Sequence, residues 1–123
     1  TSLWKTVPGY FTPDTPLYTE VGGERMKGKR DYDLAKKLLA ESGYKGEPVT
    51  VLVATDIAIT NAMGQVTADL LKQLGMNVVL KEGYAATAPD LSSLVTKLKR
   101  ARPDIILHTG YNPDITLFAR QAR

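Results

Sequence analysis

The feature of this sequence that most constrains its fold is an alternation of two patterns, which repeats three times after residue 47. A short β-branched run is followed each time by a longer run with apolar residues three and four apart, and the short runs read PVTVLVAT, NVVLKEGY and PDIILHTG. Short runs of this kind are typical of strands, and the longer ones of amphipathic helices. Strands joined by crossover helices are parallel, with helices on both faces of the sheet. The sequence therefore predicts a three-layer α/β half-Rossmann, flavodoxin-like lobe, with strands near 49–55, 77–82 and 104–109 in the order 2-1-3.

Four helices are predicted from the apolar spacing and from the residues at the helix ends. The first spans about 32–42, with Leu34, Leu38 and Leu39 on one face, and the fourth begins at Pro113. The predicted N-caps, in chain order, are Asp31, Thr60 or Asn61, Asp90 and Asn112. The inward face of the second helix is assigned to Met63, Val66, Leu70, Leu71 and Leu74, and that of the third helix to Leu91, Leu94, Val95 and Leu98.

Residues 1–30 show neither the strand nor the helix periodicity and are predicted to be an irregular arm. Residues 31–123 are predicted to form a single α/β lobe. The arm is rich in proline and carries Trp4, Tyr10, Phe11 and Tyr18, which are expected to lie against the lobe or a partner. A sheet of three parallel strands also leaves backbone groups unpaired at its edges. Both features predict self-association, most simply as a homodimer.

The charge and the apolar runs of the sequence limit the kinds of partner that the chain is expected to have. The net charge of +3 comes from basic residues spread among acidic ones, and the cluster of Lys97, Lys99, Arg100 and Arg102 is interpreted as a solvated helix face, since no aromatic residues interleave with it. No nucleic-acid partner is expected, and no membrane insertion, because the apolar runs fall far short of the roughly 20 residues a spanning helix needs. The chain has no cysteine and starts without a signal-peptide pattern, so we expect a mature chain or a fragment.

The loop after the first strand, TDIAIT at 55–60, lies where ligands are commonly held in α/β proteins. A phosphate loop uses glycine to let the backbone approach the ligand, and this loop has none, so no nucleotide or flavin cofactor is expected. Two interpretations stay open for Thr55, Asp56 and Thr60. They either satisfy backbone donors of the loop or contact a polar ligand.

No catalytic centre is predicted. His108 is the only histidine, Ser92 and Ser93 lie inside a predicted helix without a nucleophile elbow, and the residues needed to complete a metal site are missing. His108 is interpreted as a partly buried structural residue. The chain is therefore expected not to be an enzyme and to hold no metal.

The turn after the third strand carries Tyr111, Asn112 and Asp114. A carboxylate in the first turn of a helix is stabilised by the helix dipole, and this stabilisation is sufficient to explain an aspartate at position 114. The alternative is that Asp114 binds an ammonium or amide group of a small ligand. Its carboxylate is expected to face the carboxyl edge of the sheet, near Asp56 and Thr60.

Two stretches resemble two families of receptors that deliver solutes to ABC transporters. PGYFTPDTPLYTEVGGE, DYDLAKKLLAESGYKGEPVTVLVATD and MGQVTADLLKQLGMNV, within residues of about 1–78, are similar to the carboxyl-terminal lobe of dipeptide and oligopeptide receptors, the family 5 solute-binding proteins. EGYAATAPDLSSLVTKLKRARPDIILHTGYNPDITLFARQAR, within about 79–123, resembles the type I receptors for branched-chain amino acids. The chain is therefore interpreted as a chimera, engineered or recombined, whose join lies near Val78.

The resemblance implies a periplasmic, non-catalytic lobe of a solute-binding protein. It places Asp114 and Tyr111 where the amino-acid receptors hold an α-ammonium group, while the loop at 55–60 lacks the aromatic residue of that family. Thr55, Asp56, Thr60, Tyr111, Asn112 and Asp114 are thus expected to form a vestigial site with weak affinity for an amino acid or small peptide. The alternative is a self-associating structural module without a small-molecule ligand.

Overall fold

The computed structural model describes residues 7–9, 11–24 and 27–123, and the chain separates into two compact units, Thr1–Asp33 and Leu34–Arg123. In the first unit, the described residues before Tyr32 form turns and bends, with neither an α-helix nor a strand. Trp4 and Tyr10 of the predicted arm lie outside the described residues. The division of the chain into an arm at 1–30 and a lobe at 31–123 stays a prediction.

The elements follow one another in the predicted order. They are α1 (Tyr32–Glu41), β1 (Val49–Ala54), α2 (Ala58–Gln73), β2 (Val78–Tyr84), α3 (Ser92–Ala101), β3 (Ile105–His108) and α4 (Asp114–Gln121). The strands form one parallel sheet in the order β2-β1-β3. The predicted α/β class, parallel pairing and strand order are confirmed, and β2 extends two residues beyond its predicted end.

The central strand β1 separates two apolar clusters. All six of its residues are buried, and alternate side chains point to opposite faces, as in any strand. On one face Leu52 and Ala54 pack with α3 residues and with Phe118 of α4. On the other face Val51 and Val53 pack with Ala68 of α2. Helices therefore cover both faces of the sheet, and the carboxyl ends of the strands are held at one edge.

The predicted inward face of α2 is correct only in part: Leu71 packs against the cluster of Val51 and Val53, but Met63 and Val66 do not. Thr60, Gly64 and Ala68 are its buried residues, while Met63 is 58% exposed and Val66 50% exposed. A Cβ atom at Gly64 would lie 2.7 Å from Cγ1 of Val53. Because the helix lies this close to β1, only small side chains fit between them, and the larger apolar residues lie to the side.

Three predicted helix starts also need correction. The N-cap positions are Ile57 for α2, Leu91 for α3 and Pro113 for α4, in place of Thr60 or Asn61, Asp90 and Asn112. None of the three caps makes a side-chain hydrogen bond to the helix. The polar residues make other contacts. Asp90 accepts from the amide and hydroxyl of Ser92, and Asn112 accepts from the hydroxyl of Thr116.

The apolar face of α1 is predicted correctly in its spacing but is not buried. No residue of α1 is buried, and Leu34 and Leu38 are 39% and 40% exposed. Gly75 follows the end of α2, with a φ of 88° and its amide donating to the carbonyl of Lys72.

Candidate functional site

The polar residues after β1, β2 and β3 meet at the carboxyl edge of the sheet. The strands end at Ala54, Tyr84 and His108, and since all three are parallel their following loops lie at the same edge. Ligands of open α/β sheets are held in this region.

Asp56 connects the first loop to the loop after β2. Its Oδ1 accepts from the amide of Ala86 at 2.8 Å, and its Oδ2 accepts from the amide and hydroxyl of Thr87 at 3.2 and 3.0 Å. These bonds, chiefly the one from Ala86, hold the pKa of the Asp56 carboxyl below its usual value. These hydrogen bonds join the loop after β1 to the loop after β2. Because Asp56 is exposed, its carboxylate also remains in contact with solvent.

Thr55 and Thr60 also bind backbone groups. The amide and hydroxyl of Thr55 donate to the carbonyl of Tyr84 at 2.9 and 3.1 Å. The hydroxyl of Thr60 donates to the carbonyls of Ala54 and Ile57, both at 2.9 Å, and Thr60 is only 2% exposed. Thr55 is exposed and Thr60 is not, so Thr55 alone of the pair is open to a ligand.

Asp114 lies beneath the turn at 109–113 and is 4% exposed. The hydroxyl of Tyr84 donates to its Oδ2, and the amide of Tyr111 donates to its Oδ1 at 2.9 Å. Burial and the Asp114 carboxylate together raise the pKa of the Tyr84 phenol, so that Tyr84 stays a donor. The nearest donors to Asp114 thus come from β2 and from its own turn. No hydrogen bond joins Asp114 to Asp56 or Thr60 in the described structure.

His108 and Gly110 are partly buried and lie next to the Tyr84–Asp114 pair. Nδ1 of His108 accepts from the amide of Gly110 at 3.1 Å, and the imidazole lies 5.3 Å from the Tyr84 ring and 5.4 Å from the Phe118 ring, between centroids. A Cβ atom at Gly110 would lie 2.0 Å from Oδ2 of Asp114 and 2.1 Å from the Tyr84 hydroxyl. The turn therefore lies directly on the Tyr84–Asp114 pair, and only glycine fits at this position.

The six predicted site residues divide into two groups by exposure. Thr55, Asp56, Tyr111 and Asn112 are exposed at the edge, whereas Thr60 and Asp114 are buried. Tyr84 and Gly110 were not predicted. A signal for Tyr84 existed, because it is the aromatic residue that ends the second strand, and parallel strands end at one edge.

The described residues hold no group of three or more histidine, cysteine, aspartate or glutamate side chains able to bind a metal ion. In the same part of the chain, no helix is long and apolar enough to cross a membrane. The arrangement offers hydrogen-bonding groups and one exposed aromatic ring.

A sequence profile described as periplasmic binding protein matches residues 31–123. The matched range includes residue 78, where the sequence predicts a join. Among curated proteins, the Leu/Ile/Val-binding protein homolog 7 of Brucella abortus is 33% identical over 90 residues, which are 72% of this chain and 23% of that relative. The Leu/Ile/Val-binding protein homolog 8 of the same organism is 43% identical over 54 residues, 44% of this chain and 13% of the relative. The chain thus spans less than a quarter of the length of these relatives.

Proposed function

The chain belongs to the periplasmic binding protein family, and from this membership we propose that it forms part of one lobe of an ABC-transporter solute receptor. In this role it provides one wall of a ligand site in the periplasm and catalyses no reaction. The observation that supports the proposal is the meeting of three strand-to-helix loops at one sheet edge, with Thr55, Asp56, Tyr111 and Asn112 exposed there.

The proposed ligand is an amino acid or a small peptide. The relatives are described as Leu/Ile/Val-binding protein homologs, and the exposed groups suit such a ligand: an aromatic ring for an apolar side chain, and carboxylate, hydroxyl and amide groups for polar ends. Asp114 and Thr60 do not contact the ligand in this proposal, because both are buried. Their role is to hold the loops in position. Asp56 is the exposed carboxylate of the six, and we assign the contact with a ligand ammonium group to it.

The affinity of this chain alone is expected to be low. A small-molecule site normally buries about 70 to 90% of its ligand, and a single wall leaves one side of the ligand in water. An exposed ion pair such as one between Asp56 and an ammonium group contributes roughly 0 to 1 kcal/mol. We expect a Kd of about 1 mM or weaker, which corresponds to about 4 kcal/mol.

An NMR titration of the isotopically labelled chain with L-leucine and with leucyl-leucine tests the proposal. Amide shifts confined to the loops around Asp56 and Tyr111, saturating only above about 1 mM, are expected. Tyr111→Ala should weaken them, because it removes the exposed ring, whereas Phe11→Ala, in the other compact unit, should leave them unchanged. Shifts that map elsewhere, or no shifts with either compound, would contradict the proposal.

The chimeric origin also stays a proposal. The family match extends to both sides of residue 78, and this favours a single origin for residues 31–123, although the sequence predicts a join near Val78. Residues 1–30 lie outside the match. The proposal remains that a peptide-receptor stretch at about 1–78 is joined to an amino-acid-receptor stretch at about 79–123.

A second candidate function is a self-associating structural module. It is favoured by an apolar stripe on α2, where Ile59, Met63 and Val66 are all at least half exposed at a spacing of four and three residues. Sedimentation should then show a dimer mass, and Met63→Glu should lower it to that of a monomer while Gln65→Glu should not. A monomer at all concentrations would remove this candidate.

A further inference from the structure

His108 is the last residue of β3 and makes an unusual contact with the turn that follows. Its Nδ1 accepts a hydrogen bond from the amide of Gly110 at 3.1 Å. A ring nitrogen accepts only while its lone pair is free, so the contact requires the neutral imidazole with its proton on Nε2. Once Nδ1 carries a proton, two N–H groups face each other across this distance.

The surroundings of His108 offer little compensation for a positive charge. Its Nε2 is buried and has no hydrogen-bond partner among the described residues. From β2 the ring faces Tyr84, from α4 it faces Asp114 and Phe118, and on β1 its pairing partner is the apolar Leu52. Among the described residues, Asp114 is the charged group that acts on the imidazole, and burial outweighs that carboxylate, so the pKa of His108 lies below its usual value.

We propose that His108 is a positioning residue, which holds the turn carrying Tyr111 and Asn112 in place only while Nδ1 is unprotonated. When the imidazole takes up a proton from solvent, the amide of Gly110 loses its acceptor. The new positive charge attracts Asp114, the carboxylate to which Tyr84 and the Tyr111 amide donate. The turn then moves, and Tyr111 and Asn112 move with it. The consequence for a ligand rests on the proposed function, but the pH dependence of the turn does not.

The test uses the full chain without any ligand, in an NMR titration from about pH 8 to about pH 5. The chain has one histidine and no cysteine, so His108 is the only side chain with an ordinary pKa in the middle of this range. The amide signal of Gly110 and the ring signals of His108 should shift with a common midpoint below about 6.5. In His108→Asn, whose side-chain oxygen can accept from Gly110 without titrating, the Gly110 shift should be lost.

A Gly110 amide that does not respond while the His108 ring titrates would overturn the proposal. So would an unchanged Gly110 titration in His108→Asn, because the response would then come from another group. If the variant does not fold, the comparison of the two midpoints in the unsubstituted chain still decides the question. No ligand enters these measurements, so their failure is distinct from failure of the leucine titration.

Discussion

The Asp114 carboxylate illustrates how exposure separates a ligand contact from a structural one. Its position in the first turn of α4 agrees equally with both interpretations, because the helix dipole favours a negative charge in either case. At 4% exposure, with Tyr84 and the Tyr111 amide as donors, it holds the turn against β2. A buried carboxylate requires such donors, since its desolvation would otherwise be costly. Removal of the Tyr84 hydroxyl therefore tests how much this contact contributes to stability.

Tyr84→Phe should lower the free energy of unfolding by about 1 to 3 kcal/mol, because it leaves a buried carboxylate oxygen without its side-chain donor. Chemical denaturation measures the loss. Tyr111→Phe is the matched control, since it removes a hydroxyl from an exposed ring of the same turn and should change stability by less than about 0.5 kcal/mol. Equal stability of Tyr84→Phe and the unsubstituted chain would show that the buried pair contributes nothing.

At the scale of elements, strands could be predicted more accurately than helix faces. The three β-branched runs become β1, β2 and β3, and parallel pairing and strand order follow from the crossover helices. The face of α2 could not be predicted from apolar spacing, because the distance between α2 and β1 decides which residues fit. Gly64 and Ala68 lie on the buried face because they are small. The spacing of large apolar residues does not reveal such positions.

Gly64→Ala tests this close approach. The added methyl group would meet Val53, with both Cγ atoms within 2.8 Å and its Cβ at 3.2 Å, and the branched side chain of a buried strand has little room to move. Overpacking costs about 1 to 3 kcal/mol, against a gain of about 1 kcal/mol in helix propensity. We expect a net loss of about 0 to 2 kcal/mol in thermal or chemical unfolding. Asp69→Ala, at an exposed position of the same helix, should be nearly neutral, and a stabilising Gly64→Ala would show that the helix can move outward.

At the scale of the whole molecule, the sequence predicts the candidate site less completely than the fold. The sequence placed Thr55, Asp56 and Tyr111 at the carboxyl edge because the strand ends locate them there. The group of Tyr84, His108, Gly110 and Asp114 depends on contacts between β2, β3 and α4, whose side-chain directions no local pattern gives. This group also contains the only histidine of the chain, so it contributes to the response of the molecule to mild acid.

The stability of the whole chain should therefore fall in two steps as the pH is lowered. The pKa of His108 is lower in the folded chain than in the unfolded chain, where it is about 6.5. The unfolded chain then binds more protons below this pH, so the contribution of His108 is fully present above about pH 6.5 and is lost as the pH falls toward the folded pKa. The carboxyls of Asp56 and Asp90 have lowered pKa values through their hydrogen bonds, to Ala86 and Ser92 foremost, so their contribution is lost only below about pH 4.

Urea denaturation at a series of pH values from about 8 to about 3 separates the two steps. In His108→Asn the first step should disappear while the second remains, because the substitution removes the imidazole and leaves both carboxylates and their donors in place. The order of the steps follows from the unfolded pKa values alone, and their sign follows from the direction of each shift. A free energy of unfolding that rises as the pH falls from about 7 to about 5 would mean that His108 is stabilised as the imidazolium in the folded chain, with Asp114 rather than burial dominating its surroundings.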